Sequence, residues 1–237
     1  MTQDNERTEF ARAEAEFDAF YRGDGPLGTA PDRLPWQIDG PQPMLVELEA
    51  SGLIDGPVLD VGCGLGDNAA FLAERGYRVT GVDFAPAAVQ RCRDRHGDAD
   101  GRLEFAVADA TRLTGYDGRF ATVVDSALFH CLSRDQRPAY MEALHRVTRP
   151  DARLHLFCFA DTGPQLFAGQ ELIGRDELWD AVNPQWIIED LDPAEYTGGY
   201  TAAEFAAFMK VAATPDLPVD ERGRARLPFW RLTATRR

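Results

Sequence analysis

No CxxC pair occurs among the four cysteines, Cys63, Cys92, Cys131 and Cys158. That excludes a zinc ribbon or a dithiol redox centre and leaves buried thiols in a reducing compartment. The four histidines are equally dispersed, with no HExxH or comparable spacing, so no metal is expected. No apolar run approaches the roughly 20 residues that span a bilayer. The opening Met1-Thr2-Gln3-Asp4-Asn5-Glu6 is polar and acidic with no apolar segment behind it, unlike a secretory leader. A cytoplasmic protein without membrane attachment is the expectation. Positive charge is short as well. A formal net charge of -14 repels phosphate backbones and argues against a nucleic-acid partner. Internal repeats and low-complexity tracts are lacking.

What is there fits one α/β domain, since 237 residues supply a full core but not two. Residues 6–21 carry Phe10, Phe17 and Tyr21 near one helical face, an amphipathic N-terminal helix. A glycine- and proline-rich loop follows over residues 23–35, then Trp36, and then a helix over residues 44–53. The stretch 1–40 reads as an arm and 41–237 as the domain proper. The arm either closes over a pocket as a lid or packs on the body; both readings stand.

Behind it, short β-branched runs alternate with helical stretches. Strands are expected at 58–61, 77–83, 103–107, 120–125 and 154–159, and less regular ones at 186–191 and 227–235. Helices are expected at 69–75, 85–96, 136–149 with a stop at Pro150, 176–182, and 201–212 behind a threonine cap. Such alternation implies βαβ units, right-handed crossovers and a doubly wound parallel sheet. A ligand crevice then lies at the carboxyl ends of the strands.

The centre of the pattern is Val58-Leu59-Asp60-Val61-Gly62-Cys63-Gly64-Leu65-Gly66-Asp67-Asn68. A strand, three glycines at alternate positions and a helix start make a turn where backbone approaches a ligand closely, with Asp67 and Asn68 as caps. The spacing is not the Gly-x-Gly-x-x-Gly of dinucleotide enzymes, and Asp67 puts negative charge where a pyrophosphate would want a bare helix end. Asp83 ends the next strand at the distance of a ribose-binding carboxylate. Asp109-Ala110 and Asp125 follow the third and fourth strands. Taken singly each aspartate is an N-cap or a surface charge; taken together with the glycine turn they describe a cofactor site.

The set VLDVGCGLGD, VTGVD, ADA and VVDSALFHCL resembles the class I S-adenosylmethionine-dependent methyltransferases. The resemblance implies a Rossmann-like seven-stranded sheet, mostly parallel with an antiparallel last strand. It implies that Gly62, Cys63, Gly64 and Gly66 line the methionine part of S-adenosylmethionine. Asp60 would hold the amino end directly or through water, and Asp83 the ribose. Phe84 would pack on adenine, and Asp109 would bind its amine with Ala110 alongside. Asp125 would orient its loop and help position cofactor or acceptor. Pro35-Trp36, Gly40-Pro41-Gln42-Pro43 and the segments 125–130 and 156–161 further resemble bacterial small-molecule methyltransferases of the benzoquinone, thiopurine and tellurite type. There the N-terminal segment covers the active site. Residues 162–175 depart from that group in a region that shapes the acceptor pocket.

Methyl transfer from a sulfonium, with S-adenosylhomocysteine as product, needs alignment, dryness and an acceptor that has lost its proton. His130 is the candidate base, with packing as its alternative. Tyr21, Trp36 and Phe129 are candidate aromatic walls beside it, while His145 and His155 read as structural. The expected function is methylation of a small hydroxylated aromatic or heteroaromatic acceptor, at oxygen or else nitrogen, by a monomer or homodimer. Its rivals are a thiol S-methyltransferase, a non-catalytic cofactor-binding regulator, and a nucleotide-dependent oxidoreductase, which the glycine spacing disfavours.

Overall fold

The apolar runs fold into strands β1 (Val58–Val61), β2 (Val79–Asp83), β3 (Leu103–Val107), β4 (Phe120–Ser126), β5 (Thr148–Phe159), β6 (Trp186–Thr197) and β7 (Arg226–Arg236). In this computed structural model residues 18–23, 33–162, 172–209 and 214–237 are described. Between the strands lie α1 (Pro43–Ala50), α2 (Asp67–Glu74), α3 (Pro86–His96), α4 (Arg137–Val147), α5 (Arg175–Val182) and α6 (Ala202–Met209), with a 3-10 turn at Phe129–Cys131. The sheet order is β3-β2-β1-β4-β5-β7-β6. The first five strands run parallel, and β7 is antiparallel to both its neighbours. This is the mostly parallel, doubly wound sheet expected.

Every residue of β1 and β2 is buried, because a central parallel strand has helices on both faces. Along β5 the side chains alternate between two cores: Leu154, Leu156 and Cys158 meet Tyr140 of α4 and Leu178 of α5, while Phe157 and Phe159 lie on the side of α1 and α2. No helix among the described residues is long and apolar enough to cross a membrane.

Several boundaries differ from the sequence reading. Asp67 and Asn68 are not caps of α2; they occupy its first turn, and the cap position is Gly66 at φ 78°. The Asn68 side chain instead accepts the Gln42 N–H at 2.9 Å, joining α1 to α2. Strand β5 begins at Thr148, before Pro150, because the register slips between Phe120 and Thr122 of its partner and the proline falls in that irregularity. Strand β6 runs on through Pro193 to Thr197, which an edge strand tolerates, since one side needs no ladder donor. The threonine cap of α6 forms as a reciprocal pair: Thr201 Oγ1 accepts from Glu204 N at 3.2 Å, and Glu204 Oε2 accepts from Thr201 N at 2.7 Å. Of the expected N-terminal helix, residues 18–22 are helical and residues 1–17 lie outside the described residues.

Two glycines owe their place to one ring. A Cβ on Gly66 would sit 2.7 Å from Phe105 Cζ, and one on Gly81, in mid-β2, 2.7 Å from Phe105 Cδ1. Gly81→Ala is therefore expected to destabilise by about 1–3 kcal/mol through overpacking, read as a lower urea midpoint at constant slope. Adding Phe105→Leu should recover part of that loss; no recovery would mean that ring and glycine are not in conflict.

Candidate functional site

Strands β1, β2 and β4 lie side by side and carry Asp60, Asp83 and Asp125 at their carboxyl ends. All three are buried, at 1%, 6% and 0% exposure. The turn after β1 is tied down by Gly62 N and Cys63 N, which both donate to Val82 O at 2.8 and 2.9 Å. Gly62, Gly64 and Gly66 all have positive φ, at 71°, 55° and 78°, which side chains resist.

Asp83 holds the turn from the side, Oδ2 accepting from Gly64 N at 3.0 Å and Oδ1 from Ala85 N at 2.9 Å. Asp125 gathers the next loop: Oδ1 accepts from Leu128 N at 2.8 Å and Phe129 N at 3.3 Å, Oδ2 from the Tyr140 hydroxyl at 2.7 Å. Asp60 accepts from Ala69 N–H at the start of α2, and its Oδ2 has no partner. Burial pushes the three carboxyls up to about 7 for Asp60, about 6 for Asp83 and about 7 for Asp125. For Asp60 the charge of Asp125 adds to the effect.

Beside the turn opens a cavity of about 1320 Å³, water at its mouth included. One end is made by Gly62, Cys63, Gly64, Asp83 and Phe84, the other by Ser126, His130, Phe159, Tyr196 and Phe229. Tyr21 and Trp36 line it beside Gly64. The Tyr21 hydroxyl lies 3.1 Å from where a Gly64 Cβ would be and accepts the Trp36 indole N–H.

The segment around Trp36 is fixed by backbone: Gly199 N donates to Pro35 O at 2.6 Å, and the Tyr200 hydroxyl to Arg33 O at 2.7 Å. Only glycine fits at 199, where a Cβ would lie 2.5 Å from the carbonyl oxygens of Leu34 and Gln37. Asp18 takes the Ala87 N–H of α3 at 2.9 Å, so residues 18–22 lean on a helix N-terminus.

Of the residues expected at the site, Tyr21, Trp36, Gly62, Cys63, Gly64, Asp83, Phe84 and His130 meet at the cavity. Asp60, Gly66, Asp109, Ala110, Asp125 and Phe129 are not on its wall. Phe129 is corrected outright: at 0% exposure it packs against Tyr140 with the Arg137 guanidinium 5.0 Å from its ring centre, so it is core and not an aromatic wall. Gly66 backs onto Phe105 and Cys92. Asp60 lies beneath the turn, which leaves no direct contact from the cavity. Asp109 folds onto its own loop, Oδ1 accepting from Thr111 N at 2.9 Å and Oγ1 at 2.6 Å.

Gln42, Ser126, Phe159, Tyr196 and Phe229 were not singled out from the sequence. Gln42 is 3% exposed, its Nε2 donates to Thr197 O at 3.0 Å, and its Oε1 has no partner. Nothing local marks it, because the partners are 155 residues away.

His130 sits against Phe159 at 4.3 Å and edge-on to Phe229 at 5.7 Å between ring centres. Its Nδ1 accepts the Phe159 backbone N–H at 3.2 Å. Burial, reinforced by the Arg137 charge, lowers its pKa to about 3, so the ring is neutral with its proton on Nε2.

A methyltransferase-domain family profile matches residues 58–151. The chain is 37% identical over 186 residues to a 2-heptyl-1-hydroxyquinolin-4(1H)-one methyltransferase of Mycobacteroides abscessus, covering 77% of this chain and 82% of that one. A solved structure concerned with conversion of a disulfide bond into a thioacetal group during echinomycin biosynthesis superimposes at TM-score 0.74 and 35% identity, covering 93% of this chain and 90% of that one. The 1,6-didemethyltoxoflavin-N1-methyltransferase of Burkholderia thailandensis, with its substrate and S-adenosylhomocysteine bound, shares the fold at TM-score 0.63 and 20% identity over 97% of this chain and 89% of that one.

Raised carboxyl pKa values cost the ligand-free fold stability as pH rises. The folded Asp60 carboxyl titrates near 7 instead of 3.8, so its full contribution is present below the unfolded value and is lost on passing the folded one. Asp60→Asn should therefore gain on the wild type between about pH 4 and 7 in thermal midpoint and no further above that. Parallel pH curves for the two proteins would show that Asp60 is not a strained carboxylate.

Proposed function

Since the chain belongs to the class I S-adenosylmethionine-dependent methyltransferases, we propose that it methylates an oxygen of a small hydroxylated aromatic or heteroaromatic acceptor. The observation that carries this reading is the continuity of the cavity. Its glycine-turn end offers backbone and a ribose-type carboxylate, and its other end is aromatic with a few polar atoms. Among the described residues no arginine or lysine lines it, which disfavours phosphorylated acceptors. The M. abscessus relative acts on a hydroxylated quinolone, an acceptor of that kind.

The residues fit the cofactor. Gly62, Cys63 and Gly64 would hold the methionine part through backbone, and Asp83 would take the ribose hydroxyls with the lone pairs not used by Gly64 and Ala85. Phe84 would lie on adenine, and Asp109 would meet the adenine amine at the end of β3 with Ala110 beside it. Asp60 would reach the ammonium only through water or a shift of the turn; its unpartnered Oδ2 is the buried acceptor such a cation would satisfy. When bound, S-adenosylmethionine supplies an electrophilic methyl group on a positively charged sulfur. The protein's share is to align the acceptor under Trp36 and Tyr21 and to exclude water. Residues 1–40 act as arm and lid in this reading, and 41–237 as the catalytic domain.

A second reading, a sulfur acceptor, is favoured by the likeness to the protein of the disulfide-to-thioacetal structure. Release of S-adenosylhomocysteine in the presence of a panel of hydroxyheteroarenes, phenols, thiols and disulfides separates the two. Turnover confined to the sulfur compounds would overturn the oxygen reading. Asp83→Ala should weaken S-adenosylmethionine binding about 10- to 100-fold by calorimetry, the scale of losing hydrogen bonds to a charged group. An unchanged affinity would take Asp83 out of the ribose site.

A further inference from the structure

We infer that His130 is a hydrogen-bond donor to the acceptor and not its base, and that the protein takes acceptors whose hydroxyl is already ionised in solution. This deepens the oxygen-acceptor reading and rests on it. The bond from Phe159 N–H to Nδ1 occupies the lone pair that a neutral ring keeps on that nitrogen. For Nε2 to accept a proton, Nδ1 would have to carry one, and two N–H groups would then face each other across 3.2 Å. Phe159 is held in β5 by its pairing with Phe229 of β7, so its N–H cannot turn away. Among the described residues no protein group bonds Nε2, and His130 lines the cavity.

The other titratable and charged groups around His130 do not replace it as a base. Asp125 of β4 has both oxygens engaged by Leu128, Phe129 and Tyr140. Tyr196 of β6 is a phenol that burial pushes up to about 12, so it stays protonated near neutrality. The Cys131 thiol, exposed in the turn itself, donates to Ala127 O at 3.6 Å. Arg137 of α4 is a cation paired with Glu177 at 2.6 Å. Asp83 is committed to the glycine turn.

The acceptor end thus presents donors, the His130 Nε2–H and the one hydroxyl proton left over by the Ser126–Tyr196 pair, whose oxygens are 3.3 Å apart and share a hydrogen bond. Donors without a base suit an oxyanion. The class that arrives as one is an acidic hydroxyl on an electron-poor framework, an N-hydroxy heteroarene or a vinylogous acid, rather than a simple phenol or alcohol. The proton leaves to water before binding. The acceptor oxygen then gives an electron pair to the methyl carbon while the carbon–sulfur pair goes to sulfur, so an anion and a sulfonium become a neutral ether and a neutral thioether.

The test has a spectroscopic arm and a kinetic one. Two-bond proton–nitrogen spectra of protein labelled with 15N-histidine, with S-adenosylhomocysteine bound, are recorded near neutral pH, and His130 is assigned by its loss in His130→Gln. The expected result is a neutral ring protonated on Nε2; an Nδ1–H ring or an imidazolium overturns the inference. In turnover, His130→Gln keeps an acceptor for Phe159 N–H and a donor for the cavity but no base. It should retain most of the activity, while His130→Ala loses about 10- to 100-fold with cofactor affinity unchanged.

The pH dependence of kcat/KM should follow the acidity of whichever acceptor is used. A Gln variant as inactive as the Ala variant, or a profile fixed by the enzyme across acceptors, overturns the donor role. If no hydroxylated acceptor turns over with the wild type, the oxygen reading falls, and the tautomer spectrum alone decides this one.

Discussion

Parallel strands ending side by side leave backbone N–H groups of the following turns pointing into a small buried space, and those groups need acceptors. Here three aspartates supply them. Asp83 holds the glycine turn, Asp125 holds the loop that carries His130, and Asp60 receives the Ala69 N–H of α2. The glycine turn and the His130 loop on the cavity wall are positioned from these anchors. Burial moves all three toward neutrality, and at Asp60 the charges of Asp125 and Asp83 add to the strain. A positively charged ligand relieves that strain, so the arrangement that shapes the turn also favours a sulfonium cofactor over an anionic one.

The acceptor end is built differently. It draws on β5, β6, β7 and the arm, and aromatic packing defines it: Tyr196 stacks on Phe229 at 4.3 Å, and Phe229 meets Phe159 at 4.6 Å. A backbone contact from Gly199 to Pro35 fixes the segment that carries Trp36, whose ring lies against Phe20 and Tyr21. On the proposed function, aromatic walls with a few donors would select a flat acceptor by shape and leave its charge to be met by hydrogen bonds.

The alternation of strands and helices, the glycine turn and the placing of Asp83 beside it were legible in the sequence, because alternation, glycine spacing and chain separation within βαβ units are local signals. The strands that include Pro150 and Pro193 were cut short for the opposite reason. Proline reads as a breaker until one knows that the first lies in a slipped register and the second on an edge. Phe129 looked like a pocket wall because it adjoins His130, yet the turn between them sends one ring into the core and the other to the cavity.

The sequence by itself determined the methyl donor, since the contacts that mark it are made within one turn and the ends of neighbouring strands. Only the tertiary structure decided the acceptor end. Its polar atoms meet across separations of 29 residues for His130 and Phe159, 70 for Ser126 and Tyr196 and 155 for Gln42 and Thr197. Whether an imidazole gives or takes a proton there depends on a backbone N–H from another strand, and no local pattern encodes that.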